Sequence, residues 1–149
     1  MSDNATLTAD QVRSLRCLAG MMIPASSTYN VPSAADDTIF ADILRSFGRD
    51  AAQVREAMRM LDDLAGGRFA ELDATRREAV AARFRDIGGE PLKLLTHIIL
   101  QCYYRDDRVM RSLDMEVRPP FPKGFEVEQG DWSLLDPVRK RGKLYREAG

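Results

Sequence analysis

The chain has 149 residues, 44% of them hydrophobic and 30% charged, with a formal net charge of -1. A chain of this length can bury roughly 70% of its unfolded surface in one core, and its composition excludes a disordered polymer. The near-neutral charge excludes a surface-wide grip on nucleic acid or an anionic membrane, and no apolar run approaches the ~20 residues of a membrane span.

The opening MSDNATLTADQ lacks a basic segment followed by an apolar run and a cleavage site, so a cytoplasmic location is expected. Thr8-Ala9-Asp10-Gln11 has the capping-box form, in which the hydroxyl and the amide satisfy free backbone N–H groups. It precedes Val12, Leu15, Leu18, Ala19, Met22 and Ile23 at helical spacing. Pro24 ends this first helix, because the residue before a proline is pushed out of the α region, and ASSTYNVPS reads as a loop. Ser33 is the expected cap of a second helix, with Asp36 three residues on, carrying Ile39, Phe40, Ile43, Leu44 and Phe47 and closed by Gly48.

From Asp50 a third stripe runs through Ala51, Val54, Ala57, Met58, Leu61 and Leu64 to Gly66-Gly67, where a left-handed cap costs least. Asp73 caps a fourth helix, with Val80, Ala81, Phe84 and Ile87 inside and glycines at 88 and 89 after it. Pro91, in a first helical turn, opens LKLLTHIILQCYY, which reads as a central helix buried on most sides. A short helix over 107–113 follows. After Met115, prolines at 119, 120, 122 and 137 and the alternating FEVEQ predict an extended arm, with a strand-like piece at 125–127 and a helical turn at 133–135. The expected architecture is all-α: a bundle of about five to six helices over 1–117 and a Pro/aromatic arm over 118–149.

Chemistry is thinly supplied. His97 is the one histidine, set among Leu94, Leu95, Ile98 and Ile99, where a satisfied or half-exposed helix histidine is the expectation rather than a general base. The acidic pairs Asp36-Asp37, Asp62-Asp63 and Asp106-Asp107 read as caps and solvated faces, since adjacent helical residues point in different directions. Phosphate-loop, dinucleotide and nucleophile-elbow motifs are missing. Cys17 and Cys102 lie within apolar helical patterns and are expected as buried free thiols. The methionines of the helical stripes read mostly as core. The cations of RKRGKLYR, residues 139–146, are expected to pair with acidic groups of this chain or a partner rather than with phosphates. No catalytic, cofactor-binding or metal-ligating residue is predicted.

Two regions resemble a known family. LTADQVRSLRCLAGMMIPAS with DDTIFADIL, and YYRDDRVMRSLDMEVRPPFPKGF with DWSLLDPVRKRGKLYRE, are similar to the opening and closing patterns of the gluconate 2-dehydrogenase subunit 3 family. The resemblance implies a small non-catalytic subunit that holds a large flavoprotein of the glucose-methanol-choline type in its active form. FAD would sit in that partner, which oxidises a hydroxyl of a sugar, glycoside or related alcohol. Many relatives carry a twin-arginine leader, and no paired arginines precede the first helix here. The positions that match the family pattern and are expected at the partner interface are Tyr103, Tyr104, Pro119, Pro120, Phe121, Pro122, Trp132 and Tyr145, with Phe125 added from the arm. Tyr103 and Tyr104 fit a core as well as an interface, whereas Phe121 and Trp132 lie outside the helical stripes and favour an interface. The competing expectation is an autonomous ligand-binding domain or enzyme with a pocket near His97 and Tyr104.

Overall fold

A computed structural model describes residues 7–117, Gly124 and residues 128–143. Seven α-helices and no strand occur among them, so the protein is all-α. The chain divides into two compact units, Met1–Val117 and Arg118–Gly149. No described helix is long and apolar enough to cross a membrane.

The first unit holds α1 (Ala9–Met22), α2 (Asp37–Arg45), α3 (Ala51–Ala65), α4 (Ala74–Ile87), α5 (Glu90–Tyr104) and α6 (Asp107–Ser112). The capping box forms as expected: the Gln11 N–H donates to Thr8 Oγ1 at 3.2 Å, and the Thr8 N–H donates to Gln11 Oε1 at 3.1 Å. Helix α1 ends at Met22, ahead of Pro24, and the following loop closes on itself through paired 3.0 Å bonds between Ser26 and Val31. Gly20, inside α1, faces the segment before α2 so closely that an added Cβ would meet Ala35 Cβ at 3.1 Å.

The second cap differs from expectation. Asp36, not Ser33, caps α2, its carboxylate accepting from the Thr38 and Ile39 N–H groups. Ser33 Oγ instead accepts from the Ala35 N–H and donates to the Ile23 carbonyl, tying the loop to the end of α1. Helix α2 also stops before Gly48, at Arg45. The chain then runs through a 3₁₀ turn, Gly48–Asp50, directly into α3.

Helix α3 is the hub, packing against α1, α4 and α5. Its inward face, Val54, Ala57, Met58 and Leu61, is completely buried. Gly66 takes φ +67°, and the Gly67 N–H returns to the Asp62 carbonyl at 3.0 Å, as a left-handed helix terminus requires. The next short 3₁₀ turn, Phe69–Glu71, carries Phe69 fully into the core. Asp73 caps α4 as predicted, through the Arg76 N–H at 2.9 Å. Helix α4 buries Val80 and Phe84, while Ile87, expected inside, is 56% exposed.

Helix α5 departs most from expectation. It begins with Pro91 in its first turn, but it is not buried on most sides. Leu95, Ile98, Ile99, Cys102 and Tyr103 face the core at helical spacing, and His97, Leu100, Gln101 and Tyr104 form the opposite, exposed face. Mean apolarity along the segment hid an ordinary amphipathic helix, because Leu100 and Tyr104 are apolar residues left outside. Helix α6 ends at Ser112, with Leu113 exposed.

In the second unit a 3₁₀ turn, Trp132–Leu135, continues into the short helix α7, Asp136–Arg139. The turn expected at 133–135 is therefore present and longer, so the arm is not extended over this part. Asp131 starts it by accepting from both the N–H and the hydroxyl of Ser133. The strand-like piece expected at 125–127 lies outside the described residues.

Candidate functional site

Of the residues proposed for an interface, Pro119, Pro120, Phe121, Pro122, Phe125 and Tyr145 lie outside the described residues. The other three are in different settings. Tyr103 is only 4% exposed, and its hydroxyl donates to the Pro32 carbonyl at 3.2 Å. Burial raises its phenol above the ordinary tyrosine range, with smaller contributions from Tyr104 and Asp106. Its role is to anchor the loop between α1 and α2, and it has no free face for a partner. Tyr104 meets it edge to face, with centroids 5.3 Å apart, and is 53% exposed. Trp132 is 60% exposed, its indole N–H donating to Gln129 Oε1 at 3.3 Å.

Trp132 does not stand alone. Leu134, Leu135 and Val138 on the same turn-and-helix element are 74%, 41% and 57% exposed, and every described residue over 128–143 is exposed. Apolar side chains of this size are thus left in solvent on a capped, hydrogen-bonded element. Arg139, Lys140, Arg141 and Lys143 follow at once, while Asp131 and Asp136 precede them. Arg139 pairs with Asp136 at 3.4 Å. The element therefore offers an apolar patch with a cationic end.

The richest polar cluster joins α2 to the end of α5 and the start of α6. Arg108 forks onto Asp36 at 2.7 and 3.2 Å and onto both oxygens of Asp106 at 3.0 Å. Asp36 and Asp106 are also the caps of α2 and α6, so one guanidinium ties two helix starts together. The bonds to Arg108 hold both carboxyls below the usual range and push the guanidinium up. Arg105 does the same one turn earlier, bonding Asp42 at 2.6 Å and the Ser46 hydroxyl at 2.7 Å, and it lowers the Asp42 carboxyl. The pairings of Arg105 and Arg108 with Asp42, Ser46 and Asp36 were invisible in the sequence, since these partners are 59 to 72 positions away.

Two clefts border this cluster. One of about 710 Å³ lies between the 25–32 loop and α6, and another of about 590 Å³ lies between α2 and the α5–α6 corner. Arg108 lines both. Four of the hydrogen bonds a guanidinium can donate already go to Asp36 and Asp106, so its charge is committed to the fold rather than offered to an anion.

His97 and Tyr104, the centre of the competing expectation, are both exposed on the outer face of α5 and line neither cleft. Each acidic pair is divided between two tasks. Asp36 caps α2 while Asp37 pairs with Arg16, and Asp62 accepts from Ser14 Oγ while Asp63 pairs with Arg59. Both cysteines are free. Cys102 is buried, and that burial raises its thiol above the ordinary value. Cys17 is only half-buried, which corrects the expectation of two buried thiols. Among the described residues no three metal-ligating side chains gather into a group. Compared with protein-family models, curated proteins and solved structures, the chain gives no match.

Proposed function

We propose that this chain is a non-catalytic accessory subunit that binds and stabilises a large FAD-dependent dehydrogenase of the glucose-methanol-choline type. The partner oxidises a hydroxyl of a sugar, glycoside or related alcohol. The likeness of the opening and closing segments to the gluconate 2-dehydrogenase subunit 3 family supports the identity of the partner. The observation that carries the binding role is the element over 131–139, where Trp132, Leu134, Leu135 and Val138 are held on an ordered turn and remain exposed. Moving one such side chain from water into a partner contributes about 1.5–3 kcal/mol, so three or four are enough to anchor a subunit. The cationic end adds preference for an acidic rim on the partner and speeds encounter.

Purification of a tagged chain from its native source tests this reading. The expected product is a complex with flavin absorbance bands that are bleached by a sugar or glycoside. Trp132→Ala combined with Leu134→Ala is expected to weaken retention of the flavoprotein at least about a hundredfold, because each 1.4 kcal/mol lost is roughly a factor of ten. A colourless product, or a double variant that holds the flavoprotein as tightly as the natural chain, overturns the proposal.

A further inference from the structure

A groove of about 510 Å³ opens between α1, α4 and α5. Helix α1 lends it Met21, which is 38% exposed, and α5 lends it Leu92. Helix α4 supplies Glu78, Ala81, Ala82 and Arg85. Glu78 and Arg85 are one heptad apart and so share a face of α4, with the two alanines midway between them. They are not used by the fold: Glu78 makes no hydrogen bond or ion pair among the described residues, and Arg85 reaches only its neighbour Asp86 at 3.9 Å, with its side chain 79% exposed.

This arrangement is self-complementary. A second α4 laid antiparallel across a two-fold axis between Ala81 and Ala82 sets Glu78 of each copy beside Arg85 of the other, twice. The two methyl side chains at the centre let the helix axes approach to the ~8 Å end of the usual packing range. Other antiparallel registers are penalised, since centring the axis on Glu78 opposes two carboxylates and centring it on Arg85 opposes two guanidinium groups. We propose that the α4 face is a self-association surface, and that two copies of this chain pair through α4 with an isologous interface. The contact is small beside the ~1,200 Å² of a standard stable interface, so the dimer is reversible, with a dissociation constant in roughly the micromolar range. This inference is independent of the flavoprotein reading, since it uses none of residues 118–149.

Sedimentation equilibrium on the full chain tests it. The natural chain is expected to dimerise, and Glu78→Arg or Arg85→Glu alone to raise the dissociation constant about tenfold, since each change turns two attractions into two repulsions. The combined Glu78→Arg, Arg85→Glu chain restores complementarity and should return to the natural value. A 1:1 mixture of the two single variants should form mixed dimers. If the chain is obtained only in complex with another protein, Ala82→Cys with oxidation in lysate should give a cross-linked pair of this chain, lost on adding Glu78→Arg. A natural chain that stays monomeric to about 100 μM, a charge-swapped double variant no better than the singles, or no cross-link in the complex overturns the proposal.

Discussion

The phenol of Tyr103 reaches the Pro32 carbonyl at 3.2 Å from inside the bundle, while the ring of Tyr104, one position on, lies half in solvent. Neighbouring helical residues are about 100° apart around the axis, so a tyrosine pair at the edge of a buried face must divide in this way. Removing one hydroxyl from the core leaves the Pro32 carbonyl without this donor. Tyr103→Phe is therefore expected to cost about 0.5–1.5 kcal/mol in a denaturant titration. Tyr104→Ala is expected to change the same titration by less than about 0.5 kcal/mol, as surface substitutions do. An equal loss at both positions would show that the division between core and surface is misassigned.

Among the elements, α2 and α6 depend on each other through Arg108. Its two carboxylate partners, Asp36 and Asp106, are made more acidic chiefly by the bonds to Arg108, and Asp42 is made more acidic likewise by Arg105. A carboxyl more acidic in the folded than in the unfolded chain adds stability above its unfolded value, ~3.9 for aspartate, and that stability disappears as pH falls through the folded value. Acid unfolding is therefore expected to begin below about pH 4. In Arg108→Gln, Asp36 and Asp106 lose the partner that keeps them ionised, so the acid transition should move to higher pH. The same variant should lose about 1 kcal/mol at neutral pH, a modest value because the guanidinium is 44% exposed. Circular dichroism across a pH series reads both effects. An unmoved acid midpoint would mean that Arg108 does not hold the two caps.

At the scale of the whole molecule, the buried apolar residues run from Leu7 to Val109, and none of the described residues over 128–143 is buried. Among the described residues, the hydrophobic core lies within the first unit. A chain ending at Val117 is expected to unfold cooperatively, with a thermal midpoint within a few degrees of the full chain, since ~1 kcal/mol moves the midpoint of a domain of this size by roughly 4–8 °C. Calorimetry of the two forms measures this. A midpoint more than about 10 °C lower would show that the second unit supports the fold, and the separation of stability from binding would fall with it.

Local chemistry sufficed for the helices and most of their caps. Thr8 and Asp73 carry side chains that satisfy nearby N–H groups, Gly66 tolerates a positive φ and Pro91 suits a first turn, all within a few residues of chain. Choices between distant partners needed the assembled bundle. Ser33 and Asp36 are both sound caps by type, and Asp36 took the role as Ser33 bonded back to Ile23 and Arg108 arrived from 72 residues away. Phe69 sits in a 3₁₀ turn too short to show a period, so only the space beside Asp62 reveals it as core. The outer face of α5 was hidden for the opposite reason: Leu100 and Tyr104 are as apolar as the residues behind them. Hydrophobicity gives the size of a side chain's preference for burial, and only the packing of α3 and α2 against one side of α5 decided which side chains could satisfy it.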